Sequence, residues 1–236
     1  MAKKAKKASG KKAVETASER RVEQRRGDER RREKSFFPEE RRNGRERRRQ
    51  ERRQAGSFLS DISELRRRAR QHIDQGAVTI GYQADREKVI AVLNEALATE
   101  IVCVLRYKRH YFMATGIHAN AVAAEFLEHA NDEQGHADQI ARRITQIGGA
   151  PDFSPVGLAS RSHSEYAEGG SLVEMIRENL VAERIAIESY GEIVRFLGDR
   201  DIVSRRMMEG ILADEEDHAD DLKNLLATLD PTKPGE

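Results

Sequence analysis

Along residues 85–228 the apolar positions recur at steps of three and four, the period of one helix face. Four such stripes follow one another. The first runs Ile90, Leu93, Leu97, Glu100, Val104, Tyr107, Tyr111. The second runs Val122, Phe126, His129, Glu133, His136, Ile140, Ile144, Ile147. The third is Ile176, Leu180, Glu183, Ile187, Tyr190, Val194, Leu197, and the fourth is Met208, Ile211, Glu215, His218, Leu222, Leu225. Each is long enough for an amphipathic helix and none contains proline. Asp85 is placed to cap the first. Ser171 and Glu174 form a capping-box pattern at the third, and Asp199 or Asp201 is placed to cap the fourth. A shorter stripe, Phe58, Ile62, Leu65, Ala69 and Ile73, predicts a short helix packed on the main body, then a loop at Gly76 and Gly81.

The connections set the topology. Stripes one and two are joined by a turn around Thr115–Asn120, and three and four by Gly198–Arg200, so each pair is antiparallel. Between them lies a long segment from Gly148 to Gly170, with Pro151, Pro155 and Gly157. A structureless stretch of that length is natural if it crosses the length of a bundle. The fold expected is all-α: a ferritin-like four-helix bundle of two antiparallel pairs, with the long crossover between the second and third helices.

Each apolar stripe contains a glutamate at a core-facing step: Glu100, Glu133, Glu183 and Glu215. Two stripes add a histidine three residues later, His136 and His218, on the same helix face. Unpaired buried carboxylates are costly, and four pointed together repel one another. A bound cation removes both problems. The chain also repeats itself. Residues 132–138 and 214–220 both read D-E-x-x-H-A-D, and a tyrosine, Tyr107 or Tyr190, stands seven residues after each lone glutamate. Four carboxylates with two imidazoles suit a pair of iron ions, with manganese as the alternative, better than a structural zinc or an all-oxygen calcium site. Oxidation of Fe(II) by O2 or H2O2 is then the default reaction.

The segments LNEALATEIVCVLRY (93–107) and ENLVAERIAIESY (178–190), with the two D-E-x-x-H-A-D motifs, resemble bacterioferritin and its relatives in the ferritin-like superfamily. The resemblance spans about residues 85–228. It implies a ferroxidase centre inside the bundle, in a protein of iron storage or detoxification that assembles as a homo-oligomeric cage. By that resemblance Glu100 and Glu183 are terminal ligands, Glu133 and Glu215 bridge, and His136 and His218 give the nitrogens. Tyr107 falls where the family has a tyrosine able to supply an electron, and Asp132 and Asp214 would orient the histidines. At Gln134 the family has the methionine that holds haem, so no haem is expected by that route. The final DPTKPGE has no apolar stripe for the family's short fifth helix. This points towards the smaller cages of the Dps group of DNA-protection proteins, and the subunit number stays open. Of the other seam residues, His129 is expected to be a hydrogen-bonded core histidine and Cys103 a packed small hydrophobe. Tyr190 is either a second electron donor or core packing.

Composition adds a division of charge. Residues 1–56 hold 22 Lys/Arg against 10 Asp/Glu, a net of +12, and the remainder holds 20 against 31, a net of −11. With few apolar side chains, residues 1–56 are expected to be a disordered basic tail. Residues 57–84 are then a short helix and linker, and 85–236 the bundle. The tail makes nucleic acid a candidate partner and Dps-like DNA protection an alternative function. A rubrerythrin-like peroxidase without storage is another; the single cysteine cannot supply the four that a rubredoxin module needs. One cysteine, no apolar run long enough to span a membrane and no apolar segment after the basic start are read as cytoplasmic.

Overall fold

A computed structural model describes residues 61–229. The expectations placed on residues 1–56, disorder and nucleic-acid contact, lie outside the described residues, as does the DPTKPGE end. The first short helix, α1 (Ile62–Ala69), is one turn shorter at its C-terminal end than the stripe suggested, and none of its residues is buried. Ile62, Leu65 and, beyond the helix, Ile73 are exposed.

The bundle consists of α2 (Arg86–Met113), α3 (Ala119–Gln146), α5 (Leu172–Leu197) and α6 (Ile202–Leu229), with a single-turn helix α4 (Leu158–Arg161) in the crossover. No strand occurs among the described residues. Three of the four long helices start where a side chain accepts from their orphan N–H groups; α3, with His118 at its N-cap, has no such bond. Asp85 accepts from the Lys88 N–H and Ser171 from the Glu174 N–H. Glu174 reaches back to the Gly170 N–H at 2.8 Å, one residue beyond the usual capping-box target. Asp201, not Asp199, caps α6 by accepting from the Ser204 N–H at 3.0 Å. Helix α3 ends in a Schellman motif: Gly149 N–H donates to Ile144 O and Gly148 N–H to Thr145 O. The φ of +81° at Gly148 is the left-handed geometry that motif requires.

α2 packs along α3, and α5 along α6; the pairs meet through α2 against α5 and α3 against α6. Two apolar cores fill the interior. One is built around Leu93, Leu97, Ile140, Ile144, Ile193, Leu197 and Met208. The other is built around Tyr107, Val122, Phe126, Ile176 and Leu222. At roughly 1.5–3 kcal/mol for each fully buried large apolar side chain, these cores carry the fold and the cost of the polar belt between them.

The seams of α3 and α6 follow their sequence stripes. In α2 the buried residues include a seam of Val89, Leu93, Ala96, Glu100, Cys103, Tyr107 and His110, with Leu97 beside it, while Ile90, Val104 and Tyr111 are only half-buried. In α5 the buried set is Ile176, Asn179, Glu183, Ala186, Tyr190, Ile193 and Leu197, with Leu180, Ile187 and Val194 half-buried. In both helices the true seam takes the small or polar neighbour at several steps. Small side chains there let the helices approach, and the larger apolar ones wedge along the edges.

Candidate metal centre

Between the two apolar cores six polar side chains converge. Glu100, Glu133, Glu183 and Glu215 are each at most 1% exposed, and His136 and His218 are buried. Their donor atoms form two overlapping groups, each with all atoms within 4.8 Å of one another: Glu100, Glu133, His136 and Glu215, and Glu133, Glu183, Glu215 and His218. Glu133 and Glu215 belong to both groups, as bridging carboxylates would.

The arrangement repeats across the two halves of the chain. Tyr107 donates its hydroxyl to Glu183 Oε1, and Tyr190 donates to Glu100 Oε1 at 2.5 Å. Each tyrosine therefore holds the lone glutamate of the opposite half. His136 Nε2 lies 3.1 Å from Asp214 Oδ2, and His218 Nε2 lies 3.5 Å from Asp132 Oδ2. These contacts orient the Nδ1 atoms inward. His136 Nδ1 is 3.4 Å from Glu133 Oε2, 3.3 Å from Glu215 Oε1 and 3.6 Å from Glu100 Oε2. His218 Nδ1 is 3.8 Å from both Glu133 Oε1 and Glu215 Oε2.

Burial opposes charge on both histidines, but the surrounding carboxylates win. His136 is held protonated well above its ordinary range, and His218 is raised to about 10 by Glu133 and Glu215. Burial, then the neighbouring carboxylates, push Glu100 and Glu183 well above the usual carboxyl range. Glu133 goes the other way: burial would raise it, but the neighbouring Glu100 carboxyl and the His136 and His218 imidazoles favour its charge and hold it ionised. Protons thus hold the carboxylates together here. Even so, Glu100 Oε2, Glu133 Oε1, Glu183 Oε2, both oxygens of Glu215 and Nδ1 of His218 have no hydrogen-bond partner. Six buried, inward-facing, unsatisfied donor atoms fit a pair of divalent ions. A cavity of about 390 Å3 lies between α3 and α6, lined by Asp132, His136, Asp214, Asp217 and His218 among others, and by none of the four glutamates. A larger groove of about 820 Å3, on the outer side of α2 and α5, contains none of the six.

Of the residues read more cautiously from sequence, His129 is 2% exposed, with Nδ1 3.2 Å from the Tyr107 hydroxyl, and its ring stacks on His218 at 4.0 Å between centroids. Cys103 is buried, which pushes its thiol well above its ordinary range despite Arg106 alongside. Gln134, at the position where the resembled family has its haem-holding methionine, is exposed and bonds Asp138. One network escaped sequence reading. Arg106, 1% exposed, donates to Asn179 Oδ1 at 2.9 Å, to Ser164 Oγ at 3.0 Å and to Glu165 O at 2.9 Å. His110 Nε2 meets the carbonyls of Ala167 and Glu168. Together they fasten the crossover to α2 and α5 beside the centre.

The bundle and its buried carboxylate–imidazole cluster define the class. The family model of the ferritin-like domain matches residues 90–231, and the chain belongs to that family. Among curated relatives it is 30% identical over 148 residues to the bacterioferritin of Rhodobacter capsulatus, covering 62% of this chain and 88% of that protein. Among solved structures it is similar to a dodecameric thioferritin, the bacterioferritin-related protein of Bacteroides fragilis. There the TM-score is 0.61 at 30% identity, over 64% of this chain and 90% of that one. The Desulfovibrio desulfuricans bacterioferritin, solved with its diiron site in different catalytic states, superposes with a TM-score of 0.54 at 26% identity. That match covers 60% of this chain and 80% of that one.

Proposed function

We propose that this chain is a ferroxidase: it binds two Fe(II) ions as substrate in the bundle centre and oxidises them to Fe(III), passing the electrons to O2 or H2O2. The observation that carries this reading is the pair of overlapping donor groups sharing Glu133 and Glu215. In it, Glu133 and Glu215 bridge the two ions, Glu100 and His136 complete one, and Glu183 and His218 the other. Asp214 and Asp132 accept the Nε2 protons of His136 and His218, so that each Nδ1 offers a lone pair. Tyr107 and Tyr190 fix Glu183 and Glu100 through their hydroxyls. Tyr107, hydrogen-bonded to Glu183, supplies an electron in this reading. Fe(II) enters through the cavity between α3 and α6, whose rim carboxylates Asp132, Asp214 and Asp217 attract it. Manganese would fit the same donors.

The dodecameric state of the similar thioferritin supports assembly of this chain into a homo-oligomeric cage, and oxidised iron is kept inside it in this reading. Stepwise Fe(II) addition in air, followed by desalting and an iron count, tests this. Retention of many ions per chain is expected. Retention of no more than the centre can hold would make the protein a di-iron oxidase or peroxidase without storage.

A second reading rests on the charge of residues 1–56, net +12: that segment binds nucleic acid, as a DNA-protecting partner of the iron chemistry. Gel shifts comparing the full chain with one beginning at Ser57 test it. Loss of binding in the shorter chain is expected, and equal binding by both refutes it.

A further inference from the structure

Beyond the six central residues, one group of donors faces itself without a proton to share. His129 is buried on α3, its side chain 3% exposed. The Tyr107 hydroxyl gives its one proton to Glu183, so its oxygen is left as the acceptor for His129 Nδ1–H at 3.2 Å. This bonding pattern assigns the Nδ1–H tautomer to a neutral His129, and Nε2 then carries a lone pair. That lone pair points at two carboxylates: Glu125 Oε1 at 3.4 Å, one turn earlier on α3, and Asp221 Oδ2 at 4.0 Å, on α6. Three acceptors converge with no donor between them. Glu125, about a third exposed, also has its proton affinity raised, first by partial burial and then by the charges of Asp221 and Glu128.

We infer that Glu125, His129 and Asp221 form a third divalent-cation site, separate from the bundle centre, for a first-row transition ion such as Fe(II), Mn(II) or Co(II). The three donor atoms lie within 4.8 Å of one another. Modest side-chain rotation of the two partly exposed carboxylates brings them to the roughly 2.1 Å that imidazole and carboxylate ligands take. One nitrogen among the oxygens favours such ions over calcium or magnesium. The site is open to water through Asp221, whose side chain is 55% exposed. Through the bond from His129 to Tyr107 and the stack of its ring on His218, an ion there is coupled to the centre without sharing any of its six ligands.

The test counts Co(II) bound per chain by equilibrium dialysis of the metal-free full chain. It compares wild type with the Glu125→Gln/Asp221→Asn double variant, whose fold is checked by circular dichroism. Anomalous diffraction from Co(II)-soaked wild-type crystals locates each ion. One ion fewer in the double variant, together with an anomalous peak at His129 Nε2, is expected. Equal counts overturn the inference, and so does a lost ion that proves to sit on surface carboxylates away from His129. The difference between the two chains reports on this site alone, whatever number of ions the centre takes. Failure of the centre would show instead as absence of the central peaks in wild type.

Discussion

A buried carboxylate without a partner is among the most expensive groups a core can hold, and four buried carboxyl groups meet here, each with at least one unsatisfied oxygen. In the metal-free chain the cost is met by protons on His136, His218, Glu100 and Glu183. The sign of the consequence is fixed. His218 has a folded-state value raised to about 10, above the 6.5 of the free side chain, so its stabilisation is complete below about pH 6.5 and is lost as pH rises through about 10. The raised values of His136, Glu100 and Glu183 act in the same direction. Metal-free protein should therefore melt several degrees lower at pH 9.5 than at pH 6.5, as followed by calorimetry. Divalent metal should remove much of the difference, because it displaces the same protons. A melting temperature that rises over this window would refute the proton account. Tyr107 and Tyr190 differ in one respect: only Tyr107 also meets a histidine. Tyr107→Phe should keep the ions bound yet slow oxidation by about tenfold, and Tyr190→Phe by less, in stopped-flow traces.

At the scale of elements, the ends of the bundle are tied by polar links that no stripe predicts. Arg143 of α3 donates to Asp201 at 2.8 Å and to Ser204 Oγ at 2.8 Å, and Tyr82 donates to the same Asp201 at 2.9 Å. Asp201→Ala would leave the buried Arg143 guanidinium without its counter-charge. It should cost about 3 kcal/mol in urea unfolding, with the centre's metal binding intact. The four long helices and their turns were legible because large apolar residues recur at helical steps and capping residues precede them. The convergence of six site residues was legible because Glu and His interrupt otherwise apolar stripes, twice in the same pattern. The seams of α2 and α5 were misread at several steps because Ala96, Asn179 and Ala186 carry little apolar signal. The Arg106–Asn179–Ser164 network was invisible because its partners lie 58 and 73 residues away and include a backbone carbonyl.

For the whole molecule, the chain divides its charge, with a net of +12 over the first 56 residues and −11 over the rest. The ferroxidase function proposed for the body depends on the ions being held at the shared carboxylates. The most direct test adds two Fe(II) per chain anaerobically, admits air, and compares oxidation by wild type with Glu133→Ala of verified helical content. Rapid oxidation by wild type, with the variant slower by about a hundredfold or more, is expected. A variant that oxidises iron as fast as wild type would contradict the central claim, because no ion pair bridged by Glu133 would then be carrying the reaction.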